Sequence, residues 1–178
     1  LEEICDVFPS PIIHMGGDEV SKIGECSDCA KLKSEIGKLG IYLRYYQKIN
    51  DILKAKGKKL GLWGDMILQL CDGSPFWVGR EIEQEFVEKN LELLYALRDN
   101  LIVYDWWYTG VSKLSLDFFR KHGIKTIAAT STMGCYCSCL NPEQFINSYN
   151  FYEYAQDIDT YGVLCTDWIN HLGYHAEH

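Results

Sequence analysis

Residues 101–130, LIVYDWWYTG VSKLSLDFFR KHGIKTIAAT, hold one complete structural unit. Leu101 to Trp106 is an apolar run of strand length, Ser112 to His122 has the spacing of an amphipathic helix, and Thr126 to Thr130 is a second strand-length run. Gly123 stands where a helix closes in a left-handed cap before the chain enters the next strand. Strand, helix and strand in that order make a right-handed crossover between parallel neighbours.

The same unit recurs on both sides. Pro11 to Met15 and Lys59 to Trp63 are earlier strand-length runs. Between them Asp28 to Lys56 carries Leu39, Leu43, Tyr46, Ile49 and Leu53 at three- and four-residue spacing, with Gly57 as its cap. Glu81 to Arg98 supplies the helix before Leu101. Pro142 opens a helix to Ile158, and Gly162 to Thr166 is the last strand-length run. Five strands alternating with four helices limit the fold to an open doubly wound sheet or a (β/α)8 barrel. In either fold the chemistry gathers at the C-terminal ends of the strands.

Composition narrows the partners. A chain of 178 residues, 47% of them hydrophobic, can bury a substantial core as one ordinary domain. Charges or glycines interrupt every apolar run before the roughly 18 residues that a membrane helix needs, so no membrane partner is expected. The net charge is -8 and the 17 basic residues are spread out, which offers no concentrated positive field for nucleic acid. Gly16-Gly17 runs directly into two acids that would repel a pyrophosphate, and no Walker or dinucleotide fingerprint occurs elsewhere. Eight cysteines in a chain with this many regular elements read as free thiols, which would suit a cytoplasmic setting. The opening Leu1-Glu2-Glu3 lacks a start methionine and reads as a cut from a longer protein.

The strand ends are chemically biased. They carry His14-Met15-Gly16-Gly17-Asp18-Glu19, Trp63-Gly64-Asp65, Asp105-Trp106-Trp107-Tyr108 and Thr166-Asp167-Trp168-Ile169-Asn170. Four of the five tryptophans lie at these ends, where packing alone has no reason to collect them. Indole rings cover the apolar faces of a sugar while carboxylates and amides bind its hydroxyls, so a carbohydrate site accounts for the mixture.

His14 to Glu19 resembles the His-x-Gly-Gly-Asp-Glu signature of glycoside hydrolase family 20, the β-N-acetylhexosaminidases, and the resemblance continues through Trp63, Trp106 and Trp168 at later strand ends. It implies that these are barrel strands four to eight of a partial (β/α)8 TIM barrel. Residues 1–178 would then be a single segment of the catalytic domain, with strands one to three upstream and required in cis. A complete barrel takes about 250 residues, and the family's substrate-binding arginine would lie in that upstream part.

The implied activity is exo-hydrolysis of terminal 2-acetamido sugars by substrate-assisted retaining catalysis, in which the acetamido oxygen attacks and no cofactor takes part. By this resemblance Glu19 is the general acid and later the base, and Asp18 orients the acetamido group. Trp63, Trp106 and Trp168 form an aromatic box, and His14 and Asp167 join the substrate contacts. Tyr136 is the nearest candidate for a tyrosine bonded to the acetamido oxygen. Asn170 falls where many members place a hydroxyl-binding glutamate, so this sequence departs from the commoner pattern.

Plainer readings stand beside these. Asp18-Glu19 also suits the acidic first turn of a helix, and His14 also suits a core position satisfied by backbone. Only one of Trp106 and Trp107 can face the site, since strand neighbours alternate; Trp77 reads as packing. Cys26-x-x-Cys29 with Cys135, Cys137 and Cys139 has the thiolates for a zinc site, although their loops are not neighbours in barrel order, and His171 and His175 lack a third ligand. Two other functions remain open. One is a retaining glycosidase with Asp65, Asp105 or Asp167 as nucleophile, and the other is a catalytically silent carbohydrate-binding fragment.

Overall fold

A computed structural model describes residues 1–70, 87–108, 110–111, 113–133 and 142–167. Five strands, β1 (Ile12–His14), β2 (Lys59–Trp63), β3 (Leu101–Trp106), β4 (Lys125–Met133) and β5 (Gly162–Asp167), form one parallel sheet in the order β1-β2-β3-β4-β5. That order decides between the two expected folds. A doubly wound sheet reverses its strand order to place helices on both faces, whereas an unbroken order with right-handed crossovers puts them all on one face. The sheet is therefore a curled half-barrel, with the described helices on its outside.

Alternation along the strands sorts the side chains into two layers. Ile13, Leu60, Leu62, Leu101 and Val103 point outward. They pack, nearly all fully buried, against Leu39, Leu43 and Leu53 of α2 (Ser27–Ala55), Leu94 and Leu97 of α4 (Val87–Leu97) and Phe119 of α5 (Lys113–Lys121). A smaller cluster joins Ala128 of β4 and Leu116 of α5 to Phe151 and Ala155 of α6 (Pro142–Asp157). Beneath α6 a chain of hydroxyls ties the outer face of β4 to β5. Ser148 donates to Thr130 at 2.8 Å, Thr130 lies 2.8 Å from the Tyr152 hydroxyl, and Tyr152 donates to the Leu164 carbonyl at 2.9 Å. The register pairs His14 with Gly61, Trp63 with Tyr104 and Trp106 with Ala129, which puts these residues on the inner face.

The structure adds two helices that periodicity did not reveal, α1 (Glu2–Val7) and α3 (Asp65–Leu70). Each has six residues, too few for a helical repeat to show. The first long helix is broken at Gly37 (φ 68°, ψ 178°), where Asn90 of α4 donates to the Ile36 carbonyl at 2.9 Å. β4 runs past the expected Thr126 to Thr130 as far as Met133, with a bulge between Ser131 and Met133. Trp77 and residues 81–86 of the expected Glu81–Arg98 helix lie outside the described residues. Among the described residues no helix is long and apolar enough to cross a membrane.

Candidate active site

The chain leaves β1 still paired to β2. Met15 donates its N–H to the Gly61 carbonyl at 2.9 Å, and Trp63 donates to the Gly16 carbonyl at 3.1 Å. It then turns sharply through Gly16 (φ 68°) and Gly17 (φ 91°), in the left-handed region that glycine enters without steric cost. A side chain at Gly17 would also collide with α2, because its Cβ would stand 2.6 Å from the hydroxyl oxygens of both Tyr42 and Tyr46. Tyr42 donates to the Gly17 carbonyl at 3.0 Å, and burial pushes its phenol upward, so it stays a donor. The helix thus clamps the turn that presents Asp18 and Glu19, both of which are exposed.

Glu19 has φ 50°, unusual for a residue with a side chain, and its N–H donates to Asp65 Oδ2 at 2.8 Å. Asp65 opens α3 just beyond β2 and is 3% exposed. Its other oxygen, Oδ1, accepts the Trp106 indole N–H at 3.4 Å. Burial pushes the Asp65 carboxyl up to about 6, against the opposing pull of these two bonds. At neutral pH it remains mainly ionised and can accept both.

His14 lies between rings, with centroids 4.7 Å from Trp63 and 4.5 Å from Tyr104, both edge-on. Its Nδ1 accepts the Gly16 N–H at 3.1 Å, which makes Nε2 the protonated nitrogen of the neutral ring. Burial lowers its pKa and favours that neutral form. His14 therefore shows the local backbone bond of a structural histidine, with its ring on the inner face and its Nε2 buried and without a hydrogen-bond partner among the described residues. Trp107 lies past the end of β3, with its indole beside Gly110.

Asp105 belongs to the opposite layer. It is 2% exposed on the outer face of β3 and accepts a hydrogen bond from Ser115 of α5. A carboxylate pointing into the helix layer cannot attack a sugar on the inner face, so the geometry removes Asp105 from the possible nucleophiles. Asp65 does face the inner side, yet both of its oxygens are engaged.

Of the expected site residues, His14, Asp18, Glu19, Trp63 and Trp106 come together at the C-terminal edge of β1 to β3. Asp167 ends β5. Tyr136, Trp168 and Asn170 lie outside the described residues, as do Cys135, Cys137, Cys139, His171 and His175. Among the described residues Cys5, Cys26, Cys29 and Cys165 are free thiols, and no three of His, Cys, Asp or Glu gather as metal ligands. Sequence reasoning missed Tyr104 and Tyr42. Alternation from Trp106 would have found Tyr104, whereas nothing local marks Tyr42 as the clamp on Gly17.

A singly wound parallel arc, with carboxylates and aromatic rings collected at the C-terminal ends of its strands, is a (β/α)-barrel domain of the glycosidase type. The family model described as glycosyl hydrolase family 20, catalytic domain, matches residues 1–171, and the chain belongs to that family. Among solved structures it resembles a beta-N-acetylhexosaminidase from Bacteroides fragilis, with 20% identity and a TM-score of 0.59 over 94% of this chain and 32% of that one. It also resembles a GH20 exo beta-N-acetylglucosaminidase from Vibrio harveyi in complex with N-acetylglucosamine, with 19% identity and a TM-score of 0.56 over 94% of this chain and 25% of that one. These likenesses establish the fold as part of a (β/α)8 barrel. The chain spans about a third or less of the length of these structures. No curated protein matches it.

Proposed function

We propose that residues 1–178 are the C-terminal part, strands four to eight, of the barrel of an exo-β-N-acetylhexosaminidase, completed in cis by upstream strands. Its substrate is a terminal N-acetylhexosaminide, and its chemistry is carried by Asp18 and Glu19 without a cofactor. The observation that carries the reading is the position of these adjacent acids, in a family 20 chain, on the rigid turn after β1 and beside the ring-lined inner ends of β2 and β3.

In this reading Glu19 protonates the leaving oxygen and then activates water, while the substrate's acetamido oxygen forms the bond to the anomeric carbon. Asp18 orients the acetamido group and balances the positive charge that develops on it. Trp63 and Trp106 wall the acetamido methyl and the sugar ring, with His14 packed edge-on against Trp63 as part of the same substrate contacts. Tyr136, Asp167, Trp168 and Asn170 complete the contacts. The engaged oxygens of Asp65 and the outward placement of Asp105 favour substrate assistance over either of them as a protein nucleophile.

The test compares an aryl 2-acetamido-2-deoxy-β-glucoside with the matching aryl β-glucoside on the full-length protein. Cleavage of the acetamido substrate alone, with loss of most activity in both Asp18→Asn and Glu19→Gln, is the expected result. Equal turnover of the two substrates would place the nucleophile on the protein, and turnover of neither would leave a silent carbohydrate-binding relative.

A further inference from the structure

We propose that Asp65 is the positioning residue of Glu19: its buried carboxylate sets the acid's backbone and ties it to the Trp106 wall. This rests on the reading of Glu19 as the general acid. A carboxylate 3% exposed is costly unless its oxygens are bonded, and among the described residues no cation pairs with Asp65. What it does bond are the Glu19 peptide N–H at 2.8 Å and the Trp106 Nε1–H at 3.4 Å. One side chain thus joins the loop after β1, the start of α3 and the end of β3.

The Glu19 backbone explains why such a tie matters. A side-chain-bearing residue at φ 50° holds strain of about 1–3 kcal/mol and persists only where its surroundings over-determine it. Asp65 holds that residue from one side, while the Tyr42 bond to Gly17 holds the turn two residues earlier. Asp65 does not touch the Glu19 carboxyl through any described bond. Its effect is therefore on where the acid stands, and catalysis by a positioned acid falls steeply with displacement.

The test uses the full-length protein with Asp65→Asn, Asp65→Ala and Glu19→Gln. Two aryl 2-acetamido-β-glucosides are compared: a 2,4-dinitrophenyl compound, whose leaving group departs without a proton, and a phenyl compound, whose leaving group needs one. If Asp65 positions the acid, both Asp65 variants lose about 100-fold in kcat/KM on the phenyl substrate and less than about tenfold on the dinitrophenyl one. Glu19→Gln should show the same selectivity, more strongly. Equal loss on both substrates in the Asp65 variants, whether through misfolding or otherwise, while Glu19→Gln remains selective, would overturn the positioning role alone. Loss of selectivity in Glu19→Gln itself would overturn the acid assignment beneath it. Asp65→Asn keeps the side-chain volume, so it carries the test if Asp65→Ala does not fold.

Discussion

Replacing Gly17 with alanine tests how the turn before Asp18 is held. Two independent obstacles meet there. An alanine in the left-handed region costs about 1–2 kcal/mol from contact of its Cβ with its own backbone. That Cβ would also lie 2.6 Å from the hydroxyl oxygens of Tyr42 and Tyr46, so both must move, an overpacking cost of about 1–3 kcal/mol. Displacing Tyr42 strains its 3.0 Å bond to the Gly17 carbonyl, which contributes about 1 kcal/mol. The sum, about 3–6 kcal/mol, is a large share of the 5–15 kcal/mol by which a domain is stable. Urea denaturation followed by far-ultraviolet circular dichroism measures it. A Tyr42→Phe, Tyr46→Phe background separates the terms: with the hydroxyls and the Tyr42 bond gone the Gly17→Ala penalty should fall by about 2–4 kcal/mol, leaving mainly the backbone part. An identical penalty in both backgrounds would show that the hydroxyls are no obstacle and that the clamp from α2 is not what holds the turn.

Asp105→Asn should flatten the pH dependence of stability. Burial raises the Asp105 pKa to about 7, so between the unfolded value of about 3.9 and that figure the folded state binds more protons and stability falls as pH rises. The full effect, about 4 kcal/mol, is reached above pH 7. Denaturation midpoints at pH 5 and pH 8 should therefore converge in the asparagine variant, and parallel behaviour of the two proteins would refute the assignment. Asn90→Ala should destabilise the fold by about 1–3 kcal/mol, because it strands the buried Ile36 carbonyl at the Gly37 break in α2. A thermal melt unchanged within a degree would show that the break is satisfied in another way.

The strand and helix order was legible because both layers of a βα unit leave a period: apolar runs for strands, three- and four-residue spacing for helices. Lys59–Trp63 and Leu101–Trp106 match their sequence limits residue for residue. The choice of barrel over doubly wound sheet was legible only by resemblance, because strand order is a tertiary property that no local pattern encodes. The break at Gly37 escaped for a related reason: glycine within a helical pattern is common, and only the Asn90 donor from another helix shows that the Ile36 carbonyl has left its ladder. At the candidate site, Asp18, Glu19, Trp63 and Trp106 were legible as residue types at strand ends. What holds them was not, because the Tyr42 to Gly17 and Asp65 to Glu19 bonds span 25 and 46 residues.

Asp65 and Asp105 show why residue type at a strand end is an incomplete guide. Both are carboxylates near the C-terminal end of a barrel strand, both are buried, and burial raises both pKa values, to about 6 and about 7. From sequence they are equivalent candidates for a nucleophile. The pleat separates them: Asp105 immediately precedes inward-facing Trp106, so it must face α5 and settle on Ser115. Asp65 stands beyond the strand on the first turn of α3 and is free of that alternation, so it can reach back to Glu19 and across to Trp106. A raised carboxyl pKa therefore marks burial in both residues, and only the partner on each oxygen distinguishes a link between barrel and helix from a tie to the Glu19 backbone.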